Sequence, residues 1–355
     1  MRTRIDTAET ADGRSETSGP PTRTGHRWVR ARLIVRYGTV LAILPYLVLK
    51  LSWISGATLG IYRVSPLDPA VVRAGNIVTV FLELVAIVVV VVCTHPSGLR
   101  LPGWLVLTPA WIGIGLLAPF VVTGPVVTVS IATDAAGVGD ESMAPWVGPL
   151  VYLGFGAQAV GVVAAFGILV RDRWAGVLTR RLSDHPIGSA TATLAPVSWV
   201  LVALLFLVAV ARSSWSLGVE AGLSPALIQN RGMAERLNDA ASAAFAIAAI
   251  VGLLMLVHRR RFRISGWVPV ASAWIGAGAT LTSGGYALVL LFTKLAGGST
   301  AQPGVVPFVD LLQVAVGTAL AAAGAVLLAE LHTAVEPNDP DTTPRRLPGA
   351  LSVAQ

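Results

Sequence analysis

The chain has 355 residues, of which 54% are hydrophobic and only 13% are charged. That charged share is about half of what a soluble domain carries, so a water-soluble globule of this composition could not cover its own surface. Several uninterrupted apolar runs of 18 or more residues are instead typical of membrane-spanning helices. The net charge of +7 does not indicate a nucleic-acid partner, because the basic residues lie in short segments between apolar runs.

Eight apolar segments lie between two polar tails. They span residues 37–56, 76–93, 104–124, 147–170, 193–212, 239–257, 267–292 and 305–331. The sequence therefore predicts an all-α, polytopic membrane helix bundle of about eight transmembrane helices within a lipid bilayer. Residues 1–36 and 334–355 are rich in polar residues, glycine and proline, which predicts two disordered cytoplasmic tails.

The basic residues predict the orientation of the bundle. With the amino terminus inside, 19 of the 26 lysines and arginines fall on the inner side and 7 on the outer side or within the spans. Both termini should then be cytoplasmic. Only Lys50 and Lys294 are lysines, a bias typical of GC-rich bacterial genes, so we expect a bacterial plasma membrane.

An internal repeat is the strongest signal in the chain. The segment from His95 to Gly115 reads HPSGLRLPGWLVLTPAWIGIG, and 163 residues later HRRRFRISGWVPVASAWIGAG shares nine of its 21 positions. At an offset of 162, Lys50-x-Ser-Trp-x-x-Gly matches Arg212-x-Ser-Trp-x-x-Gly. We predict two parallel four-helix repeats, at 37–174 and 193–333, related by a twofold axis along the membrane normal.

The tryptophans in these motifs predict helix packing. They are Trp53, Trp104 and Trp111 in the first repeat and Trp215, Trp267 and Trp274 in the second. Trp104 and Trp267 begin spans at the inner headgroup boundary, which indole side chains favour. Trp111 and Trp274 precede glycines that let a neighbouring helix approach closely. The alternative is that Trp111 and Trp274 line a cavity shared by the repeats.

Two segments resemble a known group of proteins. LPYLVLKLSWISG, residues 44–56, and PAWIGIG, residues 109–115, are similar to motifs of uncharacterised multi-pass membrane proteins of actinobacteria. The resemblance covers most of the apolar part of the chain. It implies an actinobacterial source and the eight-helix architecture, and it implies no activity, ligand or catalytic residue.

Four charged residues within the spans form the candidate polar site. Lys50, Glu83, Arg212 and Asp310 fall at similar depths in the outer half of the predicted bundle. An isolated charge there costs about 2 to 3 kcal/mol on the lenient insertion scale, so each should pair, reach water or extend to the interface. The cations are related by the repeat, but the carboxylates are not: Ala246 matches Glu83 at the repeat offset, and Tyr152 matches Asp310 when both are counted from the start of their spans.

No pattern in the sequence indicates catalysis. The histidines lack partners at triad spacing, and the glycine-rich residues 154–161 lack the lysine of a phosphate-binding loop. A single cysteine, Cys93, and the absence of metal-ligand spacing predict no metal site. We therefore predict no enzyme activity, no catalytic residue and no cofactor.

Two polar connections have more than one interpretation. The basic run HRRRFR, residues 258–263, either contacts anionic lipid at the inner face or simply fixes the topology. Residues 215–238 combine apolar and charged side chains as in an interfacial amphipathic helix, but Gly218, Gly222, Pro225 and Gly232 should break it.

Two main functions remain, beside a membrane-embedded enzyme as the smallest of the open alternatives. The first is a structural or accessory membrane component whose protein partners are unknown. The alternative is a transporter or permease with an outward-facing polar site between two parallel repeats. These hypotheses differ in whether the intramembrane charges meet at one water-filled cavity or are satisfied separately where helices touch.

Overall fold

A computed structural model describes residues 23–63, 69–133, 142–184, 187–229, 231–296 and 304–333. These residues form α-helices joined by turns, with two isolated β-bridges, Ile61–Met143 and Arg181–Ser265. The α-helices in these ranges are α1 (Arg23–Ile54), α2 (Pro69–Thr94), α3 (Gly103–Ala132), α4 (Val147–Leu178), α5 (Ser189–Ser216), α6 (Pro225–Gln229), α7 (Met233–Val257), α8 (Trp267–Ala296) and α9 (Val306–Thr333).

Eight of these helices are long and apolar enough to cross a membrane, and the exception is the five-residue α6. The predicted all-α polytopic membrane bundle is therefore confirmed. We call the side where α1 begins and α9 ends the terminal face, and the other side the opposite face. Residues 215–238 are broken up, as their glycines and proline predict: α5 ends at Ser216, α6 has five residues and α7 begins at Met233.

Several helices extend beyond the predicted spans. Helix α1 begins at Arg23, so residues 23–36 are helical where the sequence predicted a disordered tail through residue 36. Helix α4 continues to Leu178, past a non-helical Trp174, and α7 begins at Met233 rather than near residue 239. A helix makes its backbone hydrogen bonds within itself, whether the surroundings are lipid or water. Because arginine also favours the helical conformation, a polar residue at the edge of a span does not end the helix. The remaining tail residues, 1–22 and 334–355, lie outside the described ranges.

The helices pack as two groups of similar arrangement. In the first half, α1 contacts α2 and α4, and α3 contacts α4. In the second half, α5 contacts α7 and α9, and α8 contacts α7 and α9. The halves meet mainly along α3 and α8. Each half buries its own apolar core, centred on α2 to α4 in the first and on α5, α7, α8 and α9 in the second.

Candidate functional site

The ends of α1 and α5 at the opposite face have the same local structure. Gly56 and Gly218 have φ angles of 90° and 92°, a conformation that favours glycine. In each case two backbone N–H groups bond back to the last turn, as in a Schellman motif. The Trp53 indole donates to the Leu59 carbonyl at 2.8 Å, and the Trp215 indole donates to the Ala221 carbonyl at 3.0 Å. These two tryptophans thus fix the turn that follows each helix.

Arg212 lies at the centre of a buried set of polar side chains between three helices. From α5 it donates to Asp239 on α7 at 2.8 Å and to Gln313 on α9 at 3.1 Å, and it forms an ion pair with Asp310 on α9. Arg231, just before α7, forms a second ion pair with Asp239. Two arginines and two aspartates balance in charge, which removes the cost of leaving either sign isolated in an apolar interior.

Lys50 has different surroundings in the first half. Its ammonium donates to the Asn76 side-chain oxygen on α2 at 2.9 Å. The same nitrogen lies 4.6 Å from the centre of the Trp53 ring and 5.2 Å from that of Tyr46. Aromatic faces attract a cation, so these rings and one amide stabilise Lys50, and no carboxylate of the described residues forms an ion pair with it.

Glu83 is buried between α2 and α4. Its carboxylate accepts a hydrogen bond from the Gln158 amide at 2.8 Å. Neither this pair nor Lys50 belongs to the Arg212 set. Of the four predicted site residues, the structure brings Arg212 and Asp310 into contact and gives Lys50 and Glu83 separate partners.

The sequence analysis missed the polar partners of these charges, among them one pair that the repeat relates. Asn76 and Asp239 are 163 residues apart, the offset of the longer repeated motif, and each accepts from the cation of its own half. Applying that offset to polar residues at the start of α2 would have found the pair. The two contacts therefore match: in the first half Lys50 donates to a neutral amide, Asn76, and in the second half Arg212 donates to a carboxylate, Asp239.

The contact between α3 and α8 involves the AWIGxG motifs. The Trp111 indole donates to the Trp274 carbonyl at 2.9 Å, and the two rings meet edge to face. One turn further along, a methyl group on Gly115 would lie 2.5 Å from the Gly278 carbonyl carbon. Backbone contact of this kind is how small residues associate membrane helices, which supports packing for Trp111 and Trp274 over a shared cavity.

Trp104 and Trp267 lie on the surface, near the start of α3 and at the start of α8, and are 69% and 56% exposed. That position is compatible with the predicted contact between their indoles and lipid headgroups at the terminal face. The described residues contain no group of three or more histidine, cysteine, aspartate or glutamate side chains able to hold a metal ion.

Comparisons with known proteins place no further constraint on the site. No protein-family profile matches the chain, and neither a curated protein nor a solved structure shows significant similarity to it.

Proposed function

We propose that this integral membrane protein is a structural or accessory component of its membrane, with no enzymatic reaction of its own. The observation that carries the proposal is the separation of the intramembrane charges into three interhelical sets. Lys50 joins α1 to α2, Glu83 joins α2 to α4, and Arg212 joins α5 to α7 and α9. Such contacts stabilise the arrangement of the helices, and none of them requires a substrate.

Accessibility to water tests the proposal, because a transport site must open to water. Ser242 lies three residues after Asp239 on α7 and is 3% exposed. In a Cys93→Ala background, Ser242→Cys should resist a membrane-impermeant thiol reagent in intact membranes. The matched control Leu217→Cys, at a position that is 83% exposed on the opposite face, should react quickly. Rapid labelling at both positions would contradict a purely structural role.

A transporter or permease is the second candidate, and one observation favours it. Arg231 precedes α7 in the connection at the opposite face and pairs with Asp239, so the buried Arg212 set continues towards that face. The side-chain nitrogen of Gln313 is buried without a hydrogen-bond partner among the described residues. In this version the ligand site lies within the second half and not between the halves, and Ser242→Cys would be labelled.

We infer that the two halves are parallel repeats. Equivalent residues meet across the α3–α8 contact at two successive turns, Trp111 with Trp274 and Gly115 with Gly278. Antiparallel helices can bring equivalent residues together only at their crossing point. A parallel pair in register, with a twofold axis along the membrane normal, accounts for both contacts.

We further propose a bacterial plasma membrane with the terminal face in the cytoplasm, as the distribution of arginines indicates. The same Cys93→Ala background tests this orientation. In intact cells the impermeant reagent should label Leu217→Cys and should leave Ser183→Cys, between α4 and α5, unmodified until the cells are opened. Labelling of Ser183→Cys alone in intact cells would reverse the orientation.

A further inference from the structure

Five exposed arginines lie on two neighbouring connections of the terminal face. One connection joins α4 to α5 and the other joins α7 to α8. We call this surface the arginine platform, and it consists of Arg180, Arg181, Arg260, Arg261 and Arg263.

Backbone contacts hold the two connections side by side. The Leu182 N–H donates to the Ile264 carbonyl at 2.8 Å, and the Gly266 N–H donates to the Arg180 carbonyl at 2.9 Å. The Ser265 hydroxyl donates to the Leu178 carbonyl at 3.1 Å. Arginines that are about 80 residues apart in sequence are therefore fixed on one surface.

The first arginine of the basic run, Arg259, is buried beneath the platform and binds a carboxylate on α9. Arg259 is 1% exposed and donates to the Glu330 carboxylate on α9 at 2.5 Å. Glu330 also accepts from the backbone N–H of Thr191 on α5 at 2.9 Å. Arg259 is therefore neutralised inside the bundle, whereas the arginines that follow it, Arg260, Arg261 and Arg263, are exposed.

The platform carries an uncompensated positive charge. Within the part of the chain that the structure describes, no ion pair involves any of its five guanidinium groups. Guanidinium groups bind phosphate oxygens in a bidentate geometry. Trp267, four residues after Arg263, is exposed at the start of α8, which places the platform beside the headgroup layer.

We propose that the arginine platform binds the phosphate groups of anionic phospholipids at the terminal face. The first half provides a comparison, because its equivalent connection reads HPSGLR and carries one arginine, Arg100, where the second half carries four. If these arginines served only to keep this face in the cytoplasm, their charge would be enough. Neither the backbone contacts between the two connections nor the buried Arg259 would be needed. The basic run and its buried Arg259 are thus features of the second half, and Arg180 and Arg181 lie in the connection between the halves. The site is independent of the proposed structural role.

The test is a titration of the full-length protein in a neutral detergent with short-chain phosphatidylglycerol, followed by native mass spectrometry. The platform variant is Arg181→Gln/Arg260→Gln/Arg263→Gln. The control variant, Arg27→Gln/Arg30→Gln/Arg100→Gln, removes the same charge from exposed arginines of the first half. Each arginine near an anionic surface contributes about fivefold in affinity, so the platform variant should lose about 100-fold in apparent affinity, and the control variant should lose much less.

Three results would overturn the proposal. Equal losses in the two variants would show that only overall charge matters, and equal binding of phosphatidylcholine would show that the headgroup charge does not matter. Saturation of the platform by glycerol 3-phosphate at the same concentration would identify a soluble phosphate ligand instead of a lipid. If the triple variant does not fold, the single changes Arg263→Gln and Arg100→Gln give the same comparison with a smaller expected difference.

Discussion

Replacing Gly115 with alanine perturbs the closest contact between the two halves. The added methyl group would lie 2.5 Å from both the carbonyl carbon and the carbonyl oxygen of Gly278. These are backbone atoms, so no side-chain rotation relieves the overlap. Helices α3 and α8 must therefore move apart by about 1 Å to reach ordinary van der Waals distance.

The expected loss of stability follows from three contributions. Overpacking of this kind costs about 1 to 3 kcal/mol. Separation of the helices also breaks the 2.9 Å hydrogen bond from Trp111 to the Trp274 carbonyl, which is worth about 1 kcal/mol. Alanine favours the helix over glycine by about 1 kcal/mol, so the variant should be destabilised by about 1 to 3 kcal/mol in all.

The single cysteine, Cys93, is buried and provides the assay. A fluorogenic maleimide reacts with it only when the protein unfolds, so heating in detergent gives an unfolding curve without any label being introduced. Gly113→Ala is the matched control, because no atom lies within 4 Å of its methyl position. Gly113→Ala should unfold at the wild-type temperature or above it, and Gly115→Ala below it. Equal unfolding temperatures for the two variants would refute the close approach of α3 and α8.

Two further predictions use the same assay. Glu83→Met leaves the Gln158 amide buried without its acceptor and should cost about 1 to 3 kcal/mol, whereas adding Gln158→Met should restore most of that loss. Arg212→Met leaves the buried Asp310 without a cation and Asp239 with Arg231 alone, and it should cost about 3 to 5 kcal/mol, more than Lys50→Met, which leaves one amide. Failure of the double variant to recover, or a larger effect at Lys50, would contradict the partners described above.

The sequence predicted the parts of the fold that depend on local pattern. The eight apolar runs locate the transmembrane helices because hydrophobicity over about 20 residues decides insertion. Their ends were missed, as at Arg23, because a helix continues through polar residues that favour it. The rise per residue of a helix predicted that Arg212 and Asp310 lie at a similar depth in the membrane, and the two side chains form an ion pair.

The partners of the other intramembrane charges could not be read from the sequence. Periodicity gives the buried face of a helix but does not say which helix packs against it. Glu83 meets Gln158 because α2 packs against α4. Lys50 meets Asn76 because Asn76 lies seven residues nearer the start of α2 than Glu83, about 10 Å closer to the opposite face, where α1 ends. Asn76 and Asp239 are separated by the repeat offset, so the sequence does contain their correspondence. Asparagine is uncharged, however, and the charges alone do not reveal it.

The separation in sequence of the Arg212 partners has a consequence for biogenesis. Asp239 follows Arg212 by 27 residues on the next long helix, whereas Asp310 follows it by 98. During synthesis α5 and α7 can therefore leave the insertion machinery as a hairpin in which the arginine is already neutralised. Asp310 arrives only with α9, the last long helix of the described residues, and its ion pair with Arg212 joins α9 to α5, the first helix of its half.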